Sequence, residues 1–265
     1  MMDGLKLTKI WLIFVPLRFI IHDPMKRILL LTTAIFTFNT YAQLWFDIGA
    51  KGGYGTGFLI NKTLNKDNRL SVTPGSNYFY GGKLGINFGE EHTISLDFSY
   101  NNNSYSFLQT GLLGTSQSYK YTINYSAFTF APLYKHTSDA QYLEIGPEFS
   151  FVKNASVSDM ANPLSPNANG NAINPHLMGA VFGFGGYIIG NQKLSLSMGL
   201  RFHYYFTNLT SSSFSGTNYP LVNYPDITTH ASTNPLAIQV LVEVNYSLAQ
   251  LARASCGKRV ALISF

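Results

Sequence analysis

Nine charged residues occur singly in segments where polar and apolar residues alternate. They are Asp47, Lys51, Lys83, Asp97, Lys120, Glu144, Glu148, Arg201 and Glu243. Four are bases and five are acids, so a common interior that held them all would be almost neutral. Because buried charges need partners, this near balance favours a network of ion pairs and hydrogen bonds that plugs the interior. The alternative is a narrow conduction path, which the many glycines on the same face leave open.

Histidines and acids near the ends of these segments are the candidates for catalysis. A hydrolase or an acyltransferase would need a serine or an activated water beside a histidine and an acid. The available groups are His176, His203, Asp226 and His230, but no spacing between them indicates a triad. We therefore expect each histidine to be structural or solvent-exposed, and we predict no catalytic residue.

The same groups could bind a metal ion only if three or four ligands converged. Nothing in their spacing provides that convergence, so we predict no metal site. The glycine-rich run 52–57 lies within an alternating segment and not before a helix, which excludes a phosphate-binding loop. We therefore predict no cofactor.

The basic character of the chain comes from its two ends. The 265 residues carry a formal net charge of +5, and only 12% of them are charged. Residues 1–42 hold five bases and two acids, and residues 249–265 hold three bases and no acid. The stretch between them holds ten bases and eleven acids, so no basic face remains for nucleic acid, which is excluded as a partner. The one cysteine, Cys256, excludes an internal disulfide.

Residues 25–42 have the order of features of a secretory signal peptide. Lys26 and Arg27 precede the apolar run 28–38, and Thr40-Tyr41-Ala42 places small residues before a cleavage site at Gln43. Residues 1–24 contain an apolar stretch that is too short to cross a bilayer. Our hypothesis is that translation starts at Met25 and that residues 1–24 are an over-long N-terminus.

Residues 43–248 alternate in polarity over eight segments, as expected for β-strands with two unlike faces. The predicted strands are 44–60, 76–88, 92–103, 117–135, 141–153, 176–189, 193–208 and 235–248. The pattern slips at Ser126–Phe128, which predicts a β-bulge. Long connections at 61–75, 104–116, 154–175 and 209–234 alternate with short ones. This rhythm predicts an all-β, eight-stranded antiparallel up-and-down transmembrane β-barrel.

The apolar faces of these strands are predicted to point outwards into lipid. The polar faces consist of Gly, Ser, Asn and Thr with isolated charges, which suits a crowded interior better than a water-facing surface. Aromatic residues on the apolar faces concentrate near the strand ends, as in girdles at the lipid–water boundary. The predicted girdle consists of Tyr54, Phe58, Tyr78, Tyr80, Tyr100, Tyr119, Tyr121, Tyr204 and Phe206, with Phe88 and Tyr246 at the opposite end. The reverse arrangement, apolar inside, would indicate a soluble lipocalin-like barrel.

Three segments carry a resemblance to a known family, namely Tyr41-Ala42-Gln43, Phe130–Lys135 and Tyr142–Pro147. With the strand rhythm, they resemble the small outer-membrane β-barrels of Gram-negative bacteria. The resemblance is greatest to the PorT-like outer membrane protein beta-barrel domain group, with OmpA-, OmpX- and OmpW-type barrels as architectural relatives. It implies insertion by the barrel-assembly machinery, which reads an aromatic C-terminal residue. Phe265 matches that type, although it ends a predicted tail, 249–265.

These features predict a non-enzymatic outer-membrane β-barrel protein with a structural or surface-binding role. Four long extracellular loops would contact an unknown ligand or protein, and the other expected partners are outer-membrane lipid and the assembly machinery. The first alternative is a passive channel for small solutes, including hydrophobic ones. The second is an enzyme with its site at the outer rim.

Overall fold

The computed structural model describes residues 44–61, 70–110, 118–159, 173–190, 193–211 and 232–250. Its strands are β1 (Leu44–Asn61), β2 (Leu70–Thr73), β3 (Gly75–Phe88), β4 (His92–Thr110), β5 (Ser118–Ser138), β6 (Gln141–Asp159), β7 (His176–Gly190), β8 (Leu194–Tyr205) and β9 (Thr233–Gln250). Within these residues, no helix has the length and apolar character needed to span a membrane.

Eight of these strands form a closed antiparallel ring. Neighbours pair in chain order from β3 to β9, and β1 closes the ring by pairing with both β3 and β9. The four-residue strand β2 pairs with β4 beyond the end of β3, and Pro74 lies between β2 and β3. Closure gives each of these eight strands a paired neighbour on both sides. The predicted eight-stranded antiparallel up-and-down barrel is therefore confirmed.

The strands continue further toward the long connections than the sequence pattern predicts. β4 extends to Thr110 and β6 to Asp159, well beyond the predicted ends at residues 103 and 153. The additional part of β4 buries Tyr105 and Phe107 inside the barrel. In this part of β4 the apolar residues point inwards, whereas in the rest of the strand they point outwards. The predicted strand, which assumes outward apolar residues throughout, therefore ends too early.

In the half of the barrel nearer the short turns, apolar side chains face outwards and charged side chains face inwards. Ile145 and Val242 are 51% and 39% exposed, whereas Asp97 and Glu144 are 3% and 0% exposed. Soluble proteins bury residues of the first kind and expose those of the second. The inverted pattern is the one that a barrel surrounded by lipid requires.

Near the long connections the interior is apolar instead. The buried cluster consists of Leu59, Tyr105, Phe107, Ile123, Tyr125, Ala127, Ile173, Leu177, Tyr205 and Leu209. On the outside at the same level, Asn124, Asn154 and Ser156 are exposed. This end therefore has the apolar core and polar exterior of a water-exposed barrel.

A register shift lies where the sequence pattern slips. Ser126 pairs with Asn154 and Ala127 pairs with Val152, so Lys153 is an additional residue in β6. The irregularity predicted at Ser126–Phe128 is present, but the inserted residue belongs to the neighbouring strand. Along β5 itself, every second residue from Ile123 to Lys135 is buried, and Ser126 between them is buried as well.

Candidate functional site

Eight of the nine charged residues singled out above lie inside the barrel. Asp47, Lys51, Lys83, Asp97, Glu144, Glu148, Arg201 and Glu243 are each 5% exposed or less. They share the interior because every second residue of a strand points to the same face. Strand register then sets opposite charges side by side: Lys83 pairs with Asp97 across β3 and β4, and Lys51 with Glu243 across β1 and β9.

Glu243 is the centre of this network. Its Oε1 lies 2.7 Å from Lys83 Nζ and 3.1 Å from Lys135 Nζ, and its Oε2 lies 2.8 Å from Lys51 Nζ. Asn245 Nδ2 donates a further hydrogen bond of 2.7 Å to Oε1. One carboxylate on β9 therefore serves three buried ammonium groups, which come from β1, β3 and β5.

Arg201 joins Glu144 and Asp97 to this centre. Its Nη2 and Nε lie 2.6 and 2.7 Å from Glu144 Oε1, and its Nη1 lies 3.1 Å from Asp97 Oδ2. Asp97 Oδ2 also accepts a hydrogen bond of 2.6 Å from Lys51 Nζ, which in turn contacts Glu243. These contacts, with Asp47 3.9 Å from Lys83, link all of the interior charges except Glu148 into one continuous network, in which the loss of any member affects the others.

The prediction for Lys120 is wrong, because this side chain is exposed on the outside of the barrel. Lys135 occupies the interior in its place and is fully buried. A phase that points Lys120 inwards turns the alternating apolar residues Ile123 and Tyr125 outwards, whereas they belong to the buried cluster. Counting alternate positions from Lys135 without a phase change would have placed Lys120 outside.

His203, a candidate for catalysis, is buried and paired with an acid. Its Nδ1 lies 2.7 Å from Glu148 Oε2. The nearby Ser150 hydroxyl forms hydrogen bonds with Tyr205 at 2.9 Å and Thr129 at 2.6 Å. In the described part of the chain, no serine hydroxyl is therefore paired with His203, and the arrangement is not that of a catalytic triad.

The other catalytic candidates are not brought to His203. His176 is exposed on the outer face of β7, with its ring centroid 5.5 Å from that of Phe151. His203 lies on the adjacent strand, β8, and points into the barrel. Asp226 and His230 lie outside the described residues.

Aromatic side chains surround the outside near the long connections. The Tyr100 ring centroid lies 5.7 Å from that of Tyr80 and 5.2 Å from that of Phe128, which links β3, β4 and β5. Phe128 was missed because the predicted slip fell on it. Of the predicted girdle, Tyr54, Tyr78, Tyr80, Tyr204, Phe206 and Tyr246 are exposed, and Phe58, Phe88 and Tyr100 are partly exposed. The side chains of Tyr119 and Tyr121 lie outside the described residues.

Buried aromatic side chains lie below the ionic network, at the short-turn end. Trp45, Tyr142 and Tyr187 are buried there, and the Tyr142 and Tyr187 rings are 6.0 Å apart. Lys135 Nζ lies 4.3 Å from the centroid of the Tyr142 ring, so this aromatic layer directly contacts the charges. The described interior therefore consists of three packed layers, which are aromatic, ionic and apolar in turn.

A polar recess lies on the barrel wall near the long connections. Its volume is about 410 Å³, and it is lined by side chains that carry hydroxyl and amide groups, including Ser76, Tyr78, Asn102, Asn124 and Ser156. It lies beside the aromatic girdle, since Tyr78 belongs to both. Such groups can donate and accept hydrogen bonds without a net charge.

Comparisons with known proteins find solved structures of low similarity to this chain. No family model and no curated protein matches the chain. Among solved structures, the outer membrane protein OprG from Pseudomonas aeruginosa is 10% identical, with a TM-score of 0.37 over 78% of this chain and 96% of that one. Neisserial surface protein A is 12% identical, with a TM-score of 0.34 over 75% and 96%. The outer membrane protease OmpT from Escherichia coli is 8% identical, with a TM-score of 0.34 over 78% and 96%.

Proposed function

We propose that this chain is a non-enzymatic outer-membrane β-barrel protein. In this proposal it acts as a closed structural scaffold and meets ligands or partners at its long-loop end. The observation that carries the proposal is the burial pattern, with apolar side chains outside and a buried charged network inside. Lipid is the one solvent in which that exterior is favourable, and a closed barrel satisfies the backbone polar groups that lipid cannot.

A charge placed on the apolar exterior should separate a lipid environment from water. We expect Ile145→Arg to lower the free energy of unfolding in lipid vesicles by ~2–4 kcal/mol, the cost of Arg near the bilayer midplane. The measurement is urea-dependent unfolding of the reconstituted barrel, followed by tryptophan fluorescence and by heat-dependent migration in gels.

Asn154→Arg is the matched control for this experiment. Asn154 lies on the same strand and is also exposed, but it lies beyond the aromatic girdle, on the polar part of the exterior. We expect its substitution to change stability by less than about 0.5 kcal/mol, as surface substitutions do. Equal effects of the two arginines, or a wild-type protein that stays monomeric in buffer without detergent, would contradict the membrane location.

The three packed interior layers support a scaffold more than a passive channel. A barrel of eight strands is just wide enough for its own side chains to fill. Here the charged side chains pair with one another at 2.6–3.1 Å in the main contacts of the network. A conduction path would need a continuous file of water through that network.

Planar-bilayer recordings test this proposal directly. We expect no steady unit conductance from the reconstituted wild-type protein, because the interior is packed, whereas a general porin in the same lipid would conduct. Steady unit currents that Arg201→Ala or Lys83→Ala changed in size or abolished would refute the sealed interior. Glu90→Gln is the control, since Glu90 is an exposed acid in a turn outside the network.

The polar recess near the girdle supports a binding role for the long-loop end. Binding surfaces are commonly formed by loops on a rigid scaffold, and the barrel supplies such a scaffold. We also infer removal of the signal peptide before Gln43 and insertion by the barrel-assembly machinery. Membership of the PorT-like group remains a prediction from the sequence.

A further inference from the structure

A second group of polar side chains lies at the short-turn end, on the outside and apart from the ionic network. Glu91, His92 and His136 each offer one possible ligand atom, and these atoms lie within 4.8 Å of one another. Glu91 and His92 are exposed, and His136 is half-buried. Two imidazoles and one carboxylate at this separation could bind a metal ion, so the question is whether the backbone holds them ready.

Strand register brings the two histidines together. His92 is the first residue of β4 and lies directly opposite His136 on β5. Their ring centroids are 5.2 Å apart, with 33° between the ring planes. The pairing of two long strands holds both backbones in place. Binding of a shared ligand by these side chains would therefore cost little conformational entropy.

A backbone hydrogen bond holds the third group. Glu91 lies in the tight turn between β3 and β4, in which Gly89 adopts a positive φ of 65°. The Thr137 N–H donates a 2.7 Å hydrogen bond to the Glu91 carbonyl oxygen. The turn is thereby tied to β5 beside His136, and the Glu91 carboxylate oxygen Oε2 lies 3.9 Å from His92 Nε2.

A hydrogen bond between Tyr134 and His92 assigns separate roles to the two ring nitrogens of His92. The Tyr134 hydroxyl lies 2.7 Å from His92 Nδ1, and the two rings are stacked with 22° between their planes. Metal-binding histidines commonly use one nitrogen for the metal and the other for such a partner, which sets the tautomer and the ring orientation. The engaged Nδ1 leaves Nε2, the nitrogen nearer Glu91, to bind the metal.

We propose that Glu91, His92 and His136 form a site for one divalent transition-metal ion. Two imidazole nitrogens and one carboxylate oxygen suit Zn²⁺, Cu²⁺ or Ni²⁺, whereas Ca²⁺ and Mg²⁺ prefer sets made only of oxygen. Water would complete the coordination, since two of the three side chains are exposed. Bound there, the ion would link the β3–β4 turn to the end of β5.

The test is Zn²⁺ binding to the folded barrel in detergent, purified without a histidine tag and measured by competition with a chromophoric chelator. We expect one ion per chain for the wild type. His92→Ala and His136→Ala should each weaken binding at least about tenfold, and Glu91→Gln should weaken it less. His176→Ala, which alters an exposed histidine at the start of β7, should leave it unchanged. No binding by the wild type, or equal losses in the His176→Ala and His92→Ala variants, would overturn the proposal.

Tyr134→Phe tests the positioning role of the tyrosine hydroxyl. This change removes the hydrogen bond to His92 but keeps the stacked ring. It should weaken Zn²⁺ binding by roughly tenfold, the lower end of the effect of removing such a partner. The melting temperature of the metal-free barrel should not change, and Zn²⁺ should raise that of the wild type but not that of His92→Ala. Unaltered affinity in Tyr134→Phe would refute the assigned role.

Discussion

Glu243→Ala should destabilise the folded barrel by ~3–5 kcal/mol, the cost of removing one partner from a buried ion pair. Glu243 contacts the ammonium groups of Lys51, Lys83 and Lys135 at 2.7–3.1 Å, and all four side chains are at least 95% buried. Without the carboxylate, three buried positive charges would face one another. The measurement is the urea midpoint of unfolding in lipid vesicles.

Removal of one lysine at the same time keeps this prediction testable if the single variant does not fold. In Glu243→Gln/Lys83→Met, one positive charge leaves with the negative charge, so the double variant should be more stable than Glu243→Gln alone. Coupling between contacting residues is commonly about 0.5–3 kcal/mol. Glu90→Gln removes an exposed acid and should leave the midpoint unchanged. A double variant that is no more stable than Glu243→Gln alone would show that the lysines do not repel one another.

Gly55→Ala should impair closure of the barrel and lower its stability by about 3 kcal/mol or more, at the upper end of overpacking costs. Gly55 points inwards on β1, where this strand pairs with the last strand, β9. A Cβ atom added there would overlap the carbonyl oxygen of Ile238 and lie 2.6 Å from the Cα of Gln239. Both are backbone atoms, so no side-chain rotation can relieve the overlap.

Gly52→Ala on the same strand is the matched control for Gly55→Ala. A Cβ atom at Gly52 would lie 3.4 Å from the Phe79 carbonyl oxygen, which is ordinary contact. We expect this variant to give the heat-sensitive folded band of the wild type in detergent gels, and Gly55→Ala to give mostly the unfolded band. Equal folded fractions in the two variants would mean that close approach of β1 and β9 does not limit closure.

Two different kinds of side chain fill the interior of the barrel at its two levels. In the part with an apolar exterior, the side chains inside are charged and pair with one another, and nearer the long connections they are apolar. The change occurs at the level of the girdle tyrosines and of Phe128. Where the exterior faces lipid, the apolar side chains of the alternating pattern point outwards and the polar ones point inwards. Where the exterior faces water, the polar side chains point outwards and the apolar ones point inwards.

The sequence was sufficient to determine the strands and the direction of their faces over most of the chain. Alternation is a property of successive residues, so it can be recognised without knowing which strands pair. It predicted the inward positions of Lys51, Arg201 and Glu243 and the outward position of Tyr80, where the structure also has them. It also indicated the irregularity near Ser126.

Only the tertiary structure decided which charges meet and where the polarity reverses. Contacts such as Glu243 with Lys135, 108 residues apart, depend on strand register and on how the ring closes, and local alternation contains neither. The same limit explains the unforeseen pair His92 and His136. The wrong place of Lys120 has another cause, the apolar residues Ile123 and Tyr125 inside the barrel. In the sequence, an apolar residue that points into the water-exposed end of the barrel looks the same as one that points outwards into lipid. Only the folded barrel shows which environment surrounds the residue, and that environment determines whether its side chain points inwards or outwards.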